Sequence, residues 1–237
     1  IIDDGKLYSG SSDTTIKIWD CSTDALMKTL TGHTDSVWCL TINDGMLYSG
    51  SRDKSVKMWN LSSHKLVTTL GVHKDANGDE IASQYEGHTD WVLCLTIHGD
   101  KRYSGSGDRT IKVWNCSTNE LIKTLKEHTN HVGSLKIHGG KLYSRSFKDA
   151  IKVYDCSNDT LITTLEDSRE VRCLEFHDGK LYTGSWDKDK TIRVYGCSDD
   201  SLITTLTGHT GRVGELTIQN GKLYSKHECG TICIWKL

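Results

Sequence analysis

The feature that most constrains the fold is an aromatic residue that closes a short β-branched run and recurs about every forty residues. These closing aromatics are Trp19, Trp59, Trp114, Tyr154, Tyr195 and Trp235. One interval is longer than the rest because an insertion lies near residues 72–86. A fixed period of this length indicates one supersecondary unit copied several times, so we expect a single repeat domain over residues 1–237.

Each unit contains four short runs of alternating or β-branched residues, which predict strands. In the second unit the runs are VWCLTI (37–42), MLYSGS (46–51), SVKMW (55–59) and KLVTTL (65–70). A sheet of four such strands cannot cover its own apolar faces, and radial stacking of several sheets can do so. The sequence therefore predicts an all-β propeller with six four-stranded blades.

The end strands of this array are incomplete. Residues 1–2 read as the tail of an innermost strand, and the chain ends after a third strand, at TICIWKL. The second and third strands are predicted six times, but the first and fourth only five times in full. We expect either additional chain in the intact protein, with seven blades as an alternative to six, or an unusual closure.

The composition argues against several classes of partner. The 29 basic and 31 acidic residues nearly cancel, which gives no bulk charge for binding nucleic acid or an anionic membrane. No apolar stretch is long enough to span a membrane, and the first residues lack the features of a signal peptide. We expect no nucleic-acid or membrane partner.

The nine cysteines predict reduced thiols and an intracellular protein, cytoplasmic or nuclear, because the number is odd and no secretory signal accompanies them. Most of them recur at two repeat positions, which favours a structural role. Cys229 and Cys233 have zinc-like spacing but no matching second pair. The sequence thus predicts no metal site and no cofactor.

The units resemble WD40 repeats over essentially the whole chain. The residues that carry the resemblance are Gly32-His33, Gly87-His88, Gly208-His209 and Trp19-Asp20. The LYSGSxDxTIKVW pattern is also similar to the propellers of F-box proteins, TRAF-type ubiquitin ligases and myosin heavy-chain kinases. The resemblance implies a WD40 β-propeller, and the narrower similarity implies a role as a ubiquitin-ligase adaptor.

The WD40 resemblance also implies a hydrogen-bond network within each blade, formed by a histidine, a serine or threonine, an aspartate and a tryptophan. Two complete sets have the family spacing: His33, Ser49, Asp53 and Trp59, and His88, Ser104, Asp108 and Trp114. The other sets are partial, with Lys148 and Cys229 at two of the acid positions and Asp187 in a set without a histidine. A hydrolase triad is the alternative, but recurrence in successive units favours a structural role.

Residues that the repeat does not require are the candidates for partner binding. In a propeller, the starts of the inner strands and the turns before the network aspartate share the top face. The candidate residues there are Trp38, Arg52, Trp91, Leu93, His131, Arg172, Trp186 and Arg212. Tryptophan and arginine are common anchors of protein interfaces, so we predict a partner-binding surface; channel lining is the structural alternative.

A phosphopeptide pocket would need several arginines at the inner-strand position. Of the five readable copies only Arg172 is arginine, and the others are Trp38, Leu93, Gly133 and Gly214. A mixed aromatic and basic peptide groove fits this pattern better. The insertion at 72–86 belongs to a loop on the same predicted face, beside Trp91.

These observations favour a non-catalytic module that binds a protein or peptide and serves substrate recruitment or scaffolding for a larger protein. One alternative is a structural propeller subunit of a stable assembly. A hydrolase or lyase in the central channel is the other, but the channel-facing positions offer only His131 and Glu170. We therefore expect no enzymatic activity.

Overall fold

The computed structural model describes residues 1–74, 80–82, 87–165, 170–186, 190–228 and 230–237, and within this part the protein contains strands and no helix. Among these residues there is also no helix long and apolar enough to cross a membrane. The described strands form five four-stranded antiparallel sheets, one three-stranded sheet and one two-stranded ribbon. The all-β class predicted from the sequence is confirmed.

We number the larger sheets 1 to 6 in chain order. Sheet 1 contains β1 (Ile2–Asp3), β2 (Lys6–Gly10), β3 (Ile16–Asp20) and β4 (Leu26–Leu30). Sheet 2 contains β5 (Val37–Asn43), β6 (Met46–Ser51), β7 (Val56–Asn60) and β8 (Leu66–Leu70). Sheet 3 contains β11 (Val92–His98), β12 (Lys101–Ser106), β13 (Ile111–Asn115) and β14 (Leu121–Leu125).

Sheets 4 to 6 repeat this order. Sheet 4 contains β15 (Val132–His138), β16 (Lys141–Ser146), β17 (Ile151–Asp155) and β18 (Thr160–Leu165). Sheet 5 contains β19 (Val171–His177), β20 (Lys180–Ser185), β21 (Ile192–Gly196) and β22 (Leu202–Leu206). Sheet 6 contains only β23 (Val213–Gln219), β24 (Lys222–His227) and β25 (Ile232–Lys236).

Within the insertion, β9 (Val72–Lys74) and β10 (Glu80–Ala82) pair as an antiparallel ribbon. Residues 75–79 and 83–86 lie outside the described part of the chain, so the predicted role of the insertion stays a prediction.

The tight hairpins follow from their turn residues. Asp44 and Gly45 both have positive φ, and they form the whole connection between β5 and β6. Two-residue turns with positive φ match the twist of paired strands, and Asp-Gly adopts them readily. The same class of turn, Asn220-Gly221, joins β23 to β24.

The described residues form two compact units, Ile1–Leu135 and Lys136–Leu237, here called unit 1 and unit 2. In each unit the core lies between successive sheets. Unit 1 buries Ile18 of sheet 1 with Leu47 and Trp59 of sheet 2. Unit 2 buries Val153 of sheet 4 with Leu181 of sheet 5. The single domain over 1–237 stays a prediction.

A glycine in the second strand allows these sheets to approach one another. A Cβ atom on Gly50 would lie 2.6 Å from both Cys39 Sγ and Val92 Cγ1, and Val92 belongs to the next sheet. Gly105 is enclosed in the same way, with Cys94 Sγ at 2.6 Å and Val132 Cγ1 at 2.7 Å. The repeated glycine is therefore required by packing rather than by its backbone conformation.

Candidate interaction surface

The histidine network of sheet 2 connects the loop before β5 to strands β6 and β7. Trp59 Nε1 donates to Ser49 Oγ at 2.9 Å, and Ser49 Oγ lies 2.7 Å from His33 Nε2. His33 Nδ1 lies 2.7 Å from Asp53 Oδ2, in the turn after β6. Because an indole N–H can only donate, the serine hydroxyl can donate to Nε2 and Nδ1–H can donate to the carboxylate.

Sheet 3 contains the same network with the same geometry. Trp114 Nε1 donates to Ser104 Oγ at 2.9 Å, His88 Nε2 lies 2.7 Å from that oxygen, and His88 Nδ1 lies 2.7 Å from Asp108 Oδ2. Ser49 and Ser104 are fully buried. A buried serine held by both an indole and an imidazole cannot reach a substrate, so these sets act in structure rather than as hydrolase triads.

Burial and hydrogen bonding act against each other in these pairs. Burial raises the pKa of Asp53 and Asp108, but the hydrogen bonds and charge attraction from the histidines, from Ser55 or Thr110 and from the backbone together outweigh it, so both carboxyl pKa values are lowered. Burial lowers the pKa of His88, despite the opposing effect of Asp108. The pair in sheet 3 therefore favours a neutral imidazole beside a carboxylate.

The remaining sheets retain parts of the network. Trp19 Nε1 donates to Ser9 Oγ at 3.0 Å in sheet 1. In sheet 6, Trp235 Nε1 donates to Ser225 Oγ at 2.9 Å, and His209 Nε2 lies 2.7 Å from the same oxygen. The predicted members Asp187 and Cys229 lie outside the described residues.

The repeat geometry places each turn residue beside the start of an inner strand. The backbone N–H of Arg52 donates to the carbonyl of Ser36, and that of Trp186 donates to the carbonyl of Glu170. These bonds hold the turn after the second strand against the entry to the first strand of the same sheet. Side chains from both segments therefore meet at one edge of the sheet.

In unit 1, this edge carries an arginine stacked on a tryptophan. The Arg52 guanidinium lies 4.6 Å from the ring centroid of Trp91, and its Nε lies 3.7 Å from Asp35. Trp38 on β5 is 56 % exposed. Of the other predicted residues, Leu93 on β11 is half-buried and His131, directly before β15, is exposed.

In unit 2, one tryptophan contacts two arginines. The half-buried Trp186 has the guanidinium of Arg172 at 5.3 Å and that of Arg212 at 5.5 Å from its ring centroid, and both arginines are exposed. Arg212 also lies 3.6 Å from Glu228. The ring also packs close to β23, since a Cβ on Gly214 would make an ordinary van der Waals contact of 3.5 Å with the indole.

A small cavity adjoins this tryptophan. Its volume is about 30 Å³, and it is lined by Arg145, Phe147, Glu170, Val171, Arg172 and Trp186. A space of that size holds one or two water molecules and is far smaller than a typical small-molecule pocket. This cavity is therefore too small to enclose a small-molecule ligand.

Two residues that line this cavity, Phe147 and Arg145, were not among the site residues predicted from the sequence. Phe147 is 51 % exposed and occupies the repeat position of Arg52 and Trp186. Arg145 stands where sheets 1, 2, 3 and 5 have glycine and sheet 6 has Lys226, and its Nη1 donates to the carbonyl of Val171 at 3.3 Å. Comparing every unit at these two positions would have revealed both departures.

Metal-ligating side chains also gather in sheet 6. In the described part of the chain, the possible ligand atoms of His209, His227 and Cys233 all lie within 4.8 Å of one another. Burial and then the neighbouring His227 lower the pKa of His209.

Comparison with known proteins identifies the repeats. The family model for the WD domain, G-beta repeat, matches residues 2–20, 25–60 and 79–115. Over 117 residues, which are 49 % of the chain, the sequence is 25 % identical to Mitochondrial division protein 1 of Kluyveromyces lactis. The chain covers 16 % of that protein's length.

Two solved structures share the fold at low sequence identity. A chain in the crystal structure of the Mitotic Checkpoint Complex has a TM-score of 0.81 and 18 % identity, over 99 % of this chain and 72 % of that chain. The computationally designed Ika8 protein has a TM-score of 0.65 and 21 % identity, over 100 % of this chain and 82 % of that chain. These similarities show the fold alone.

Residues 2–20, 25–60 and 79–115 carry WD40 repeats, and the all-β sheets have the fold class of WD40 propeller blades, as the sequence predicted. Domains of this class generally act as protein-interaction modules.

Proposed function

We propose that this chain is a non-catalytic interaction module that binds a protein or peptide partner through its exposed aromatic and arginine side chains. Its role would be substrate recruitment or scaffolding, inside the cell, for a larger protein such as a ubiquitin ligase. The contact of Trp186 with Arg172 and Arg212 is the observation that carries the proposal.

The energetics favour this cluster as an anchor. Tryptophan and arginine are the residues most enriched among those that dominate binding energy. Stacking on the indole restricts Arg172 and Arg212 before a partner arrives, which reduces the ordering cost of association. The adjacent Phe147 adds exposed apolar area to the same surface.

The charges indicate what the partner presents. Arg172 and Arg212 keep exposed guanidinium groups, and Glu170 and Glu228 are acidic neighbours of this surface among the described residues. Guanidinium groups pair well with carboxylates through two parallel hydrogen bonds. We therefore expect an acidic segment with an apolar side chain for the indole and Phe147.

The test begins with peptides selected on the intact chain by random-peptide phage display, whose affinities are then measured by fluorescence anisotropy. Trp186→Ala should weaken binding at least about 30-fold, which corresponds to the loss of about 2 kcal/mol that defines an interface hot spot. The affinity should also fall with added salt, because exposed charges are screened within about 10 Å at 0.1 M ionic strength.

The matched control is Lys28→Ala, which removes an exposed cation on β4, away from the turn edges that carry the predicted site. It should bind like the unaltered protein, and all variants should keep their melting temperature. Selected peptides that lack acidic residues, or that bind Trp186→Ala at full strength, would contradict the proposal.

Unit 1 carries a second candidate surface, formed by Trp38, Arg52 and Trp91. A double variant, Arg52→Ala with Trp91→Ala, is tested separately in the same assay. Loss of binding in this variant but not in Trp186→Ala would move the site to unit 1.

A structural subunit of a stable assembly is the second candidate function. The outer strands favour it because they expose pairs of aliphatic side chains: Leu26 and Met27, Leu66 and Val67, Leu161 and Ile162, and Leu202 and Ile203. Light scattering after purification from the native source distinguishes the two roles. A stoichiometric complex that survives dilution and is disrupted by Val67→Glu, but not by Trp186→Ala, would favour the assembly.

A further inference from the structure

Sheet 6 differs from other sheets at two described positions near His209, which are His227 and Cys233. In sheets 2, 3, 5 and 6 the last residue of the second strand pairs with the first residue of the inner strand. This last residue is serine in sheets 2, 3 and 5, and it is His227 in sheet 6. The residue paired with the network serine is lysine in sheets 1 to 4 and Cys233 in sheet 6. The acid position is Cys229, which lies outside the described residues and is not counted among the ligands below.

The substituted side chains converge in the structure. The rings of His209 and His227 have centroids 4.7 Å apart, and Cys233 Sγ lies 3.5 Å from His227 Nε2. Both histidines are buried, and the Nδ1 atom of each has no hydrogen-bond partner among the described residues. In sheets 2 and 3 the corresponding Nδ1 of His33 and His88 contacts an aspartate instead.

We propose that His209, His227 and Cys233 form a binding site for a zinc-class divalent cation. Typical Zn–N and Zn–S bonds of about 2.0 and 2.3 Å give tetrahedral edges of roughly 3.3 to 3.6 Å between ligand atoms. The separation of 3.5 Å between Cys233 and His227 matches such an edge. The largest separation in the group, 4.8 Å, closes with a side-chain movement of about 1 Å.

The hydrogen bonds around His209 leave the correct atom available to the ion. Ser225 Oγ can donate to the carbonyl of Cys233 at 3.5 Å, so it can accept the Nε2–H of His209 at 2.7 Å. That arrangement leaves a lone pair on His209 Nδ1, the atom without a partner. Fixing a ligating histidine through its other nitrogen is usual at protein metal sites.

The donor set and the access favour a borderline-soft ion. Two imidazoles and a thiolate suit Zn²⁺ and disfavour Mg²⁺ or Ca²⁺, which prefer oxygen ligands. His227 also lines a cavity of about 200 Å³ with Gly214, Glu215, Lys226 and Glu228, which gives the ion a route from solvent. A cation bound there would connect His209, in the loop before β23, to His227 on β24 and Cys233 on β25. It would take the place of the histidine–aspartate bond that sheets 2 and 3 contain.

The test is titration of the reduced chain with Zn²⁺ by calorimetry, together with Co²⁺ absorption spectroscopy. The unaltered chain should bind Zn²⁺ and melt at a higher temperature with it, and Co²⁺ should give a thiolate charge-transfer band. His227→Ser and Cys233→Lys restore residues that other sheets carry. Each should weaken binding by more than the roughly 10- to 100-fold loss typical of outer-shell changes.

Controls separate this site from adventitious thiol binding. Cys21→Ser removes an exposed cysteine from the turn between β3 and β4 and should leave affinity and spectrum unchanged. The proposal is overturned if Zn²⁺ binds the two sheet 6 variants as tightly as the unaltered chain, or if Co²⁺ gives no thiolate band. A band that disappears in Cys229→Ser but persists in Cys233→Lys would overturn the assignment of Cys233.

Discussion

The histidine–aspartate pair shows how a single residue stabilises the repeat. Asp108 ionises readily because His88, Thr110 and the backbone of Thr89 all donate to it. Asp108→Asn removes the charge with little change in shape, so we expect a loss of about 1.5 to 3 kcal/mol in the free energy of unfolding, the range for hydrogen bonds to charged groups. Urea denaturation followed by tryptophan fluorescence measures it.

Asp13→Asn is the matched control for this variant. Asp13 occupies the same repeat position in sheet 1, but it is exposed, and its partners among the described residues are Ser11, Thr15 and Lys17 of its own turn and strand. A much smaller loss is expected, and equal losses in Asp13→Asn and Asp108→Asn would show that the histidine contributes nothing.

The sequence predicted single residues better where the repeat constrains them than where it does not. The WD40 resemblance implied that His33, Ser49 and Asp53 meet, since their spacing matches the family pattern, and the structure has these contacts. The contact of Arg52 with Trp91 could not be predicted in this way, because it joins side chains of two different sheets. Phe147 was missed because its significance depends on comparison with the same turn in other units.

At the scale of elements, the glycine of the second strand permits the close packing of neighbouring sheets. A Cβ on Gly105 would meet Cys94 and Val132, whose short side chains cannot move aside. Gly105→Ala should therefore destabilise the protein by about 1 to 3 kcal/mol, as overpacked cores do. Adding Cys94→Ala should recover part of the lost free energy of unfolding, because it removes one of the two clashing atoms, and urea denaturation measures the recovery.

Gly214→Ala is the control for this effect. The added Cβ would meet only ordinary contacts, with Trp186 at 3.5 Å, and the position does not have positive φ. Stability should stay within about 0.5 kcal/mol of the unaltered protein, since reduced freedom of the unfolded chain favours alanine. A loss as large as that of Gly105→Ala would show that packing between sheets is not the cause.

Strand positions were largely predictable because alternation and Asp-Gly turns are local signals. The four strands predicted in the second unit agree with β5 to β8 within a residue at each end. The register shift between Val37 and Cys39 was not predictable, since it depends on pairing across the sheet. Exposure of Leu66 and Val67 on an outer strand also has no local signal.

At the scale of the whole molecule, the complete networks are unevenly distributed. Both of them lie in unit 1, whereas His209 in unit 2 has Cys229 at the acid position. Repetition in the sequence predicted the array of sheets, because each unit repeats the same apolar pattern. The division of the chain into two compact units was not predicted, because it depends on contacts between sheets rather than on the sequence pattern within one repeat.

These networks predict two stages of acid destabilisation. The lowered pKa of His88 means that, as the pH falls below about 6.5, the unfolded chain takes up a proton that the folded chain excludes, so stability falls. The lowered pKa values of Asp53 and Asp108 stabilise the protein above about pH 4, and this contribution is lost as the pH falls further.

Urea midpoints measured at intervals between about pH 7.5 and 3 would resolve these two stages. The double variant Asp53→Asn with Asp108→Asn should be less stable at neutral pH and should lose less additional stability below about pH 4. Its decline below about pH 6.5 should persist, because Asp108 opposes rather than causes the lowering of the His88 pKa. If the urea midpoint of the double variant changes with pH as that of the unaltered protein does, these carboxylates do not govern the acid stability of the protein.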